Sequence, residues 1–417
     1  WDVLLLETGF LAIFLAPLRV LSGWPGAQGP SRVAVWLCWW LLFRLMFSSG
    51  MSKLLSGDPT WRRLTALTHH YETQPLPTPL SWYAHQLPAW LHRMSAAIMF
   101  AIELAVPFLI LGPWPLRPIA GMVFISFMIL IMASGNYCFF NLLTIAMCAL
   151  LFDDRTLWWL LDWIGPGGAV RAFLPADSAH LPSWIVAIPA ALLVLLSARP
   201  MSRLLGPAIR WPRRLEAFFD WLEPFRLANG YGLFAVMTTM RPEIVIEWSD
   251  DGVTWRSYEF KWKPGDVRRR PRYVFPHQPR LDWQMWFAAL IDFRHQPWFA
   301  SLLLRLMEGS PPVLALLRRS SSGELSPGSP RFIRAELYRY RFSSPATHRA
   351  TGAWWERERL RSYGPMLVRD RIRRGAECRR GADALLLRSL DVSQGHDAGE
   401  ALIPASHEPT CPASSES

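Results

Sequence analysis

Between Phe43 and Asp154 the sequence alternates long uncharged apolar runs with one polar, proline-studded connection, a pattern that an ordinary water-soluble core does not need. It reads FRLMFSSGMSKLLSGDPTW, then HHYETQPLPTPLSWYAHQLPAWLHRM, then two apolar runs, then SGNYCFFNLLTIAMCALLFDD. A bilayer does require such runs, because about 20 apolar residues span its hydrocarbon. The charges agree with this reading. Residues 1–198 hold 10 Lys and Arg and 9 Asp and Glu, whereas the remaining residues hold 34 and 24. A charge-poor front followed by a charge-rich rear is the pattern of a membrane domain followed by a soluble one.

Six segments are candidates to enter the bilayer: Val3–Val20, Val33–Gly50, Met94–Leu111, Leu116–Ala133, Tyr137–Phe152 and Trp184–Ala198. The last two are short, so five spans are expected, with six as the alternative. Trp36, Trp39, Trp40, Trp82, Trp90, Trp158, Trp159 and Trp184 fall near run ends, where an interfacial aromatic belt would place them. Prolines at 75, 77 and 79 forbid a regular helix there and favour an extended path. Leu80–Arg93 is amphipathic and is expected to lie along the membrane surface.

The rear half changes period. Gly230–Met237 and Ile244–Trp248 read as short strands, and Ser249-Asp250-Asp251-Gly252 as a tight turn leading to a return strand over Val253–Trp262. Leu281–Ile291 and Trp298–Met307 read as helices and Phe332–Phe342 as another strand. The expected fold class is therefore a multi-pass α-helical membrane domain followed by a smaller β-rich α+β soluble domain and a disordered tail. The boundaries are drawn at 1–198 for the membrane domain, 199–228 for a basic linker, 229–368 for the soluble domain and 369–417 for the tail. The chain opens at Trp1, already inside an apolar stretch and without Met, so a start further upstream is expected.

A net charge of +11 invites a nucleic-acid partner. The basic residues sit beside the membrane runs and in the Arg-rich tail, where anionic head groups are the nearer partner, so membrane lipid is expected and nucleic acid is not. Five cysteines at 38, 138, 148, 378 and 411 have neither the parity nor the spacing of a disulfide framework or a CxxC metal site. His69, His70, His85 and His92 share one connection without the spacing of a compact ligand set, so no metal and no cofactor are expected. Neither a phosphate loop, a GxSxG elbow nor an HExxH string occurs, so the common signatures of hydrolases, kinases and metalloproteases are missing.

Several residues stand out chemically. Arg44 lies deep in its run and needs a carboxylate, with Glu7 and Glu103 the available ones. Lys53 closes the same run and reads either as a lysine snorkelling to the head groups or as an intramembrane base or ion-pair partner. Asn136 and Asn141 must find hydrogen bonds at depth, by locking helices or by lining a cavity. In the rear half Trp255 and Trp262 fall on opposite faces of the return strand, so one faces outward if a single face is buried.

The strings themselves resemble a known family. Trp1-Asp2-Val3-Leu4-Leu5-Leu6-Glu7-Thr8-Gly9-Phe10-Leu11, Phe43–Trp61, His70-Tyr71-Glu72-Thr73-Gln74-Pro75, Ser134-Gly135-Asn136 through Thr144, and Phe152-Asp153-Asp154 are similar to the lipase maturation factor family. Tyr258-Glu259-Phe260-Lys261, Lys263-Pro264-Gly265-Asp266, Arg268–Pro271, Leu281–Ala289 and Tyr338–Phe342 carry the likeness through about residue 368. The resemblance is more to the bacterial members. It implies a multi-pass membrane protein that helps secreted lipases reach an active, assembled state, in the endoplasmic reticulum of animals or the inner membrane of bacteria. A second, fold-level likeness joins Gly50-Met51-Ser52-Lys53-Leu54, Asp58 and Trp61 to the membrane domain of vitamin K-dependent carboxylases, where the matching lysine can be catalytic.

Two functions follow. One is a non-enzymatic membrane maturation factor whose partner is a secreted, lipase-like client. The other is a membrane enzyme acting on a lipid or quinone-like substrate in a helix-lined cavity around Lys53. The client- or cavity-facing candidates are Arg44, Lys53, His70, Tyr71, Glu72, Asn136, Asn141, Trp255, Asp282 and Trp283.

Overall fold

Apolar sequence without interruption forms helix, because a helix satisfies every backbone group internally. The computed structural model describes residues 2–15, 31–164, 183–206, 211–318 and 329–369. The front half contains α1 (Asp2–Leu15), α2 (Arg32–Leu55), α3 (Pro59–Arg62), α4 (Leu67–Thr73), α5 (Pro79–His85), α6 (Ala89–Leu104), α7 (Leu116–Ser134), α8 (Phe140–Ala149), α9 (Asp154–Ile164) and α10 (Ser183–Leu205). Among the described residues four segments are long and apolar enough to cross a membrane: Arg32–Leu55, Ala89–Leu111, Leu116–Ser134 and Ala187–Leu204. Of the other expected runs, the first is described as helix only to Leu15, and Tyr137–Phe152 yields the ten-residue α8.

The helix α2 is the hub of this half. Two thirds of its apolar window (67%) is buried, and it packs against α1, α6, α8 and α10. Leu41, Leu42 and Leu45 of α2 meet Ala120 and Phe124 of α7 and Cys148 of α8, all essentially without exposure. The segments at Ala89–Leu111 and Leu116–Ser134 differ: only 22% and 28% of their windows are buried, and Ile98, Leu111, Met122, Ile129 and Leu130 face outward. A water-soluble protein does not tolerate such a patch. In a bilayer it is the lipid-facing surface.

In the rear half β1 (Arg241–Ser249) pairs antiparallel with β3 (Phe332–Phe342), from Arg241 opposite Tyr340 to Ser249 opposite Phe332. A second antiparallel ladder joins β3 to β4 (Trp355–Ser362), with a register shift between Leu337 and Tyr338. The order is β2-β1-β3-β4, where β2 is only Arg256–Ser257. The helices α12 (Arg280–Ala289) and α13 (Pro297–Met307) pack on β1 and β3 respectively.

Several expectations are corrected. Gly230–Met237 is not a strand but a turn-rich segment laid against the helices, where its polar groups find partners: Trp61 Nε1 donates to Phe234 O at 2.9 Å, and Tyr231 Oη donates to Glu7 at 2.7 Å. The return strand pairs over two residues instead of ten. Trp82 is no belt residue; it is buried, donating Nε1 to Ser343 O at 3.1 Å. Nor is residue 198 a helix end, since α10 continues to Leu205. Arg199, taken as part of a basic linker, is 8% exposed and bonded to Glu216 (2.9 Å) and Asp220 (2.6 Å) of α11 (Arg213–Leu222). Residues 1–366 accordingly cohere as one unit, and a second begins at Leu367, described only to Arg369. Most of the expected disordered tail, Cys378 and Cys411 included, lies outside the described residues.

Candidate functional site

Two helices meet closely because a glycine stands at their crossing. A Cβ at Gly50 of α2 would fall 2.7 Å from Leu104 Cδ2 and 3.0 Å from Glu103 Cβ. One turn later Lys53 Nζ reaches both carboxylate oxygens of Glu103 at 2.8 Å and donates to Ser49 O at 3.2 Å. Both side chains are almost wholly buried, at 5% and 7% exposure, and the ammonium lies 5.6 Å from the Trp61 ring. The snorkelling alternative for Lys53 therefore fails, and a desolvated ion pair replaces it. Such a pair neither gains nor costs much as a whole, but either half alone is a stranded charge.

The pair forms part of the wall of a cavity of about 610 Å³. Most of the lining is apolar, drawn from α2, α4, α5, α6, α7, α8 and the Leu233-Phe234 turn. The polar lining includes Lys53, Glu103, His70, Tyr71, Tyr137 and Asn141. Tyr137 Oη donates to Gln74 Oε1 at 2.7 Å, which leaves His70 Nε2, 3.1 Å away, as donor to the phenol oxygen. Burial, and next the charge of Lys53, push the His70 imidazole down to about 4, so it is neutral at pH 7. Burial raises the phenols of Tyr71 and Tyr137, which stay protonated. Asn141 is fully buried, and among the described residues neither its Nδ2 nor its Oδ1 has a hydrogen-bond partner. On the outer edge stand Leu80, Tyr83, Leu87, Ile98 and Leu130, each more than 40% exposed.

Behind this cavity the proline-rich connection is fastened to the sheet. The guanidinium of Arg241, 1% exposed, donates to three backbone carbonyls within four residues, at Glu72 O (2.7 Å), Gln74 O and Pro75 O (2.9 Å), and to Glu243. Gln74 Nε2 in turn donates to Ser134 O at 2.7 Å. That approach leaves no room at Gly135, where a Cβ would lie 2.2 Å from Gln74 Oε1 and 2.4 Å from Tyr137 Cε2.

Of the ten expected site residues, the fold brings Lys53, His70, Tyr71 and Asn141 to this one cavity. Arg44 is elsewhere, bonded to Glu7 and, at 3.2 Å, to Asn229 O. Glu72 accepts from Phe342 N at 3.0 Å, its carboxyl raised by burial and partly restored by that N–H. Asn136 locks two non-helical segments together instead of two helices: Nδ2 donates to Leu76 O (3.0 Å) and Arg272 O (2.9 Å), and Oδ1 accepts from Val274 N (2.8 Å). Asp282 accepts from Trp262 N and Lys263 N, both at 2.8 Å, and Trp283 is buried against Leu76 and Tyr137. Trp255 is half-buried under the Arg334 guanidinium, 3.9 Å from its ring, so it is no free aromatic patch. Sequence reasoning missed Tyr137 and Arg241, and offered Glu103 to the wrong cation. The signal for Glu103 was available: it is the single carboxylate inside Met94–Leu111. Among the described residues no group of three or more His, Cys, Asp or Glu is placed to hold a metal.

Comparison with known proteins covers both halves. A model of the lipase maturation factor transmembrane domain matches residues 1–159, and one of the lipase maturation factor C-terminal domain matches residues 227–365. Bovine lipase maturation factor 1 is 37% identical over 393 residues, covering 89% of this chain and 68% of that protein. The chain belongs to the lipase maturation factor family. Rat and human lipase maturation factor 2 are each 37% identical, over 463 and 464 residues and 88% of this chain. The chain spans 66% and 65% of the length of those two relatives. No solved structure matches it. In this lipase maturation factor family member the cavity falls where the two matched domains join, with Lys53, Glu103 and Asn141 from the first and Leu233 and Phe234 from the second.

Proposed function

We propose that this chain is a membrane-anchored maturation factor that assists the folding or assembly of secreted, lipase-like clients. The observation that carries the reading is the continuous likeness to proteins named lipase maturation factor 1 and 2 through both the helical and the sheet-bearing halves. The welding of those halves by Arg241, Asn136 and Trp61 supports a single working unit: a surface on the sheet keeps a fixed relation to the lipid-facing helices. The role is non-enzymatic. Lys53, the lysine that the carboxylase likeness singles out, is held by both oxygens of Glu103 and is not a free base. The protein sits in the endoplasmic reticulum membrane in a eukaryotic host, or the inner membrane in a bacterial one, crossing it several times.

The test is co-expression with a secreted lipase in cells depleted of their own maturation factors. Secreted lipase activity per unit of lipase protein is expected to rise with the chain and to stay at background without it. Unchanged specific activity, with the chain shown to be membrane-inserted, refutes the reading.

A further inference from the structure

We infer that the outer face of α11 is a bilayer-docking surface, with Phe218, Trp221 and Phe225 entering the head-group region of the membrane that α10 crosses. The segment RRLEAFFDWL carries more apolar surface than the protein covers. Glu216, Asp220 and Glu223 recur at i, i+4 and i+7, and so share one side of α11 and of the 3₁₀ turn Glu223–Phe225 that extends it. All three carboxylates reach Arg199, at 2.9, 2.6 and 3.7 Å. Phe219 lies on that side too, 3% exposed, with the Arg199 guanidinium over its ring and Trp211 edge-on to it. Phe218, Trp221 and Phe225 recur at i, i+3 and i+7 and share the other side. Trp221 is 67% and Phe225 64% exposed, Phe218 is half-buried, and the rings of Phe218 and Trp221 stack 6.4 Å apart.

Depth decides what covers these rings. Arg199 lies within Ala187–Leu204, the stretch of α10 apolar enough to cross a membrane, five positions before its end. At the rise of an α-helix that is about 7–8 Å inside the end of the stretch. A helix bonded to Arg199 therefore sits where hydrocarbon gives way to head groups. Trp211 Nε1, donating to Ser202 Oγ at 3.0 Å, is a second fastening at the same level. Indole rings favour that zone, and interfacial helices sink an apolar face about 5–10 Å into it. Arg214 is exposed and in line with Phe218 and Trp221 (i, i+4, i+7), so its stem can lie along the rings while its charge stays among the phosphates. The consequence is positional. Beyond α11 the chain passes to Asn229 and Tyr231, which bond Glu7, so a docked α11 sets the height of the sheet-bearing half above the bilayer.

The experiment uses the full chain in phosphatidylcholine nanodiscs, spin-labelled in turn at Trp221→Cys, Phe225→Cys and Val253→Cys. Val253, 83% exposed just past the Ser249 end of β1 and so far from the Arg241 fastening, is the reference in water. Cys38, Cys138 and Cys148 are buried and stay, and Cys378→Ser with Cys411→Ser completes the background. Each labelled variant changes one exposed side chain and leaves the other rings in place, and an unchanged thermal midpoint verifies the fold. Collisions with oxygen, which concentrates in hydrocarbon, are compared with collisions with a water-soluble nickel chelate. Labels at 221 and 225 are expected about 5–10 Å below the phosphates, and the label at 253 in water. Nickel reaching 221 and 225 as freely as 253 overturns the proposal. So does shielding of both labels from both reagents, which places a second copy of the chain over this face. The measurement contains no client, so it fails or succeeds independently of the maturation reading.

Discussion

Removing one member of the Lys53–Glu103 pair separates a structural ion pair from an ornamental one. At 2.8 Å and an effective dielectric of about 20, the attraction between the two charges is about 6 kcal/mol. Desolvation of two nearly buried ions offsets most of that, so the intact pair adds little net stability. Glu103→Gln keeps the shape but strands the ammonium, at a cost of about 3–5 kcal/mol; Lys53→Met strands the carboxylate at a similar cost. The double variant strands nothing and is expected to lie within about 1–2 kcal/mol of the parent, a coupling of several kcal/mol between sites in direct contact. The assay is the thermal midpoint of the detergent-solubilised full chain, followed by tryptophan fluorescence. Each single variant is expected to melt roughly 5–10 °C lower, since about 2–4 °C accompanies each kcal/mol in domains somewhat smaller than this unit. Single variants that melt with the parent, or a double variant as unstable as the two singles summed, would refute the argument.

Three further outcomes follow from the same structure. Arg241→Met, which abandons the buried carbonyls of Glu72, Gln74 and Pro75 and the carboxylate of Glu243, is expected to lose about 3–5 kcal/mol and to expose the 72–79 connection to limited proteolysis. Gly135→Ala pushes a methyl group onto Gln74 and Tyr137, and a loss of about 1–3 kcal/mol in thermal stability is expected, whereas Gly9→Ala, with open space around it inside α1, causes no loss and favours the helix slightly. The third concerns pH: His70 and His85 have folded-state values pushed down to about 4 from 6.5, chiefly by burial, so the unfolded chain binds protons that the folded one refuses. Their contribution, at most ~3 kcal/mol each, is complete above pH 6.5 and is lost as pH falls toward 4; His70→Gln combined with His85→Gln flattens that part of the melting profile. Glu72, raised by burial, works in the opposite direction and reduces the net slope.

Residue type and spacing were enough to recognise the apolar spans, the strand Phe332–Phe342 and the helices starting near Leu281 and Trp298, because each is a local pattern that its neighbours do not overrule. Gly230–Met237 shows the limit. Its composition suits a strand, but a strand needs a partner edge, and here the partner groups are Glu7, Asp58 and Trp61 of the helical half. Trp82 and Arg199 were misplaced for the same reason: amphipathic residues are read as surface until something distant covers them.

The chain's order of residues determined that it enters a bilayer, since long uncharged runs have no other stable environment, and that its family likeness runs through both halves. Only the folded molecule decided which cation meets which carboxylate, giving Glu7 to Arg44 and Glu103 to Lys53, and which of two asparagines is satisfied. Partner choice among buried polar groups is fixed by distances of a few ångströms between segments up to 261 positions apart, and no local pattern encodes such distances.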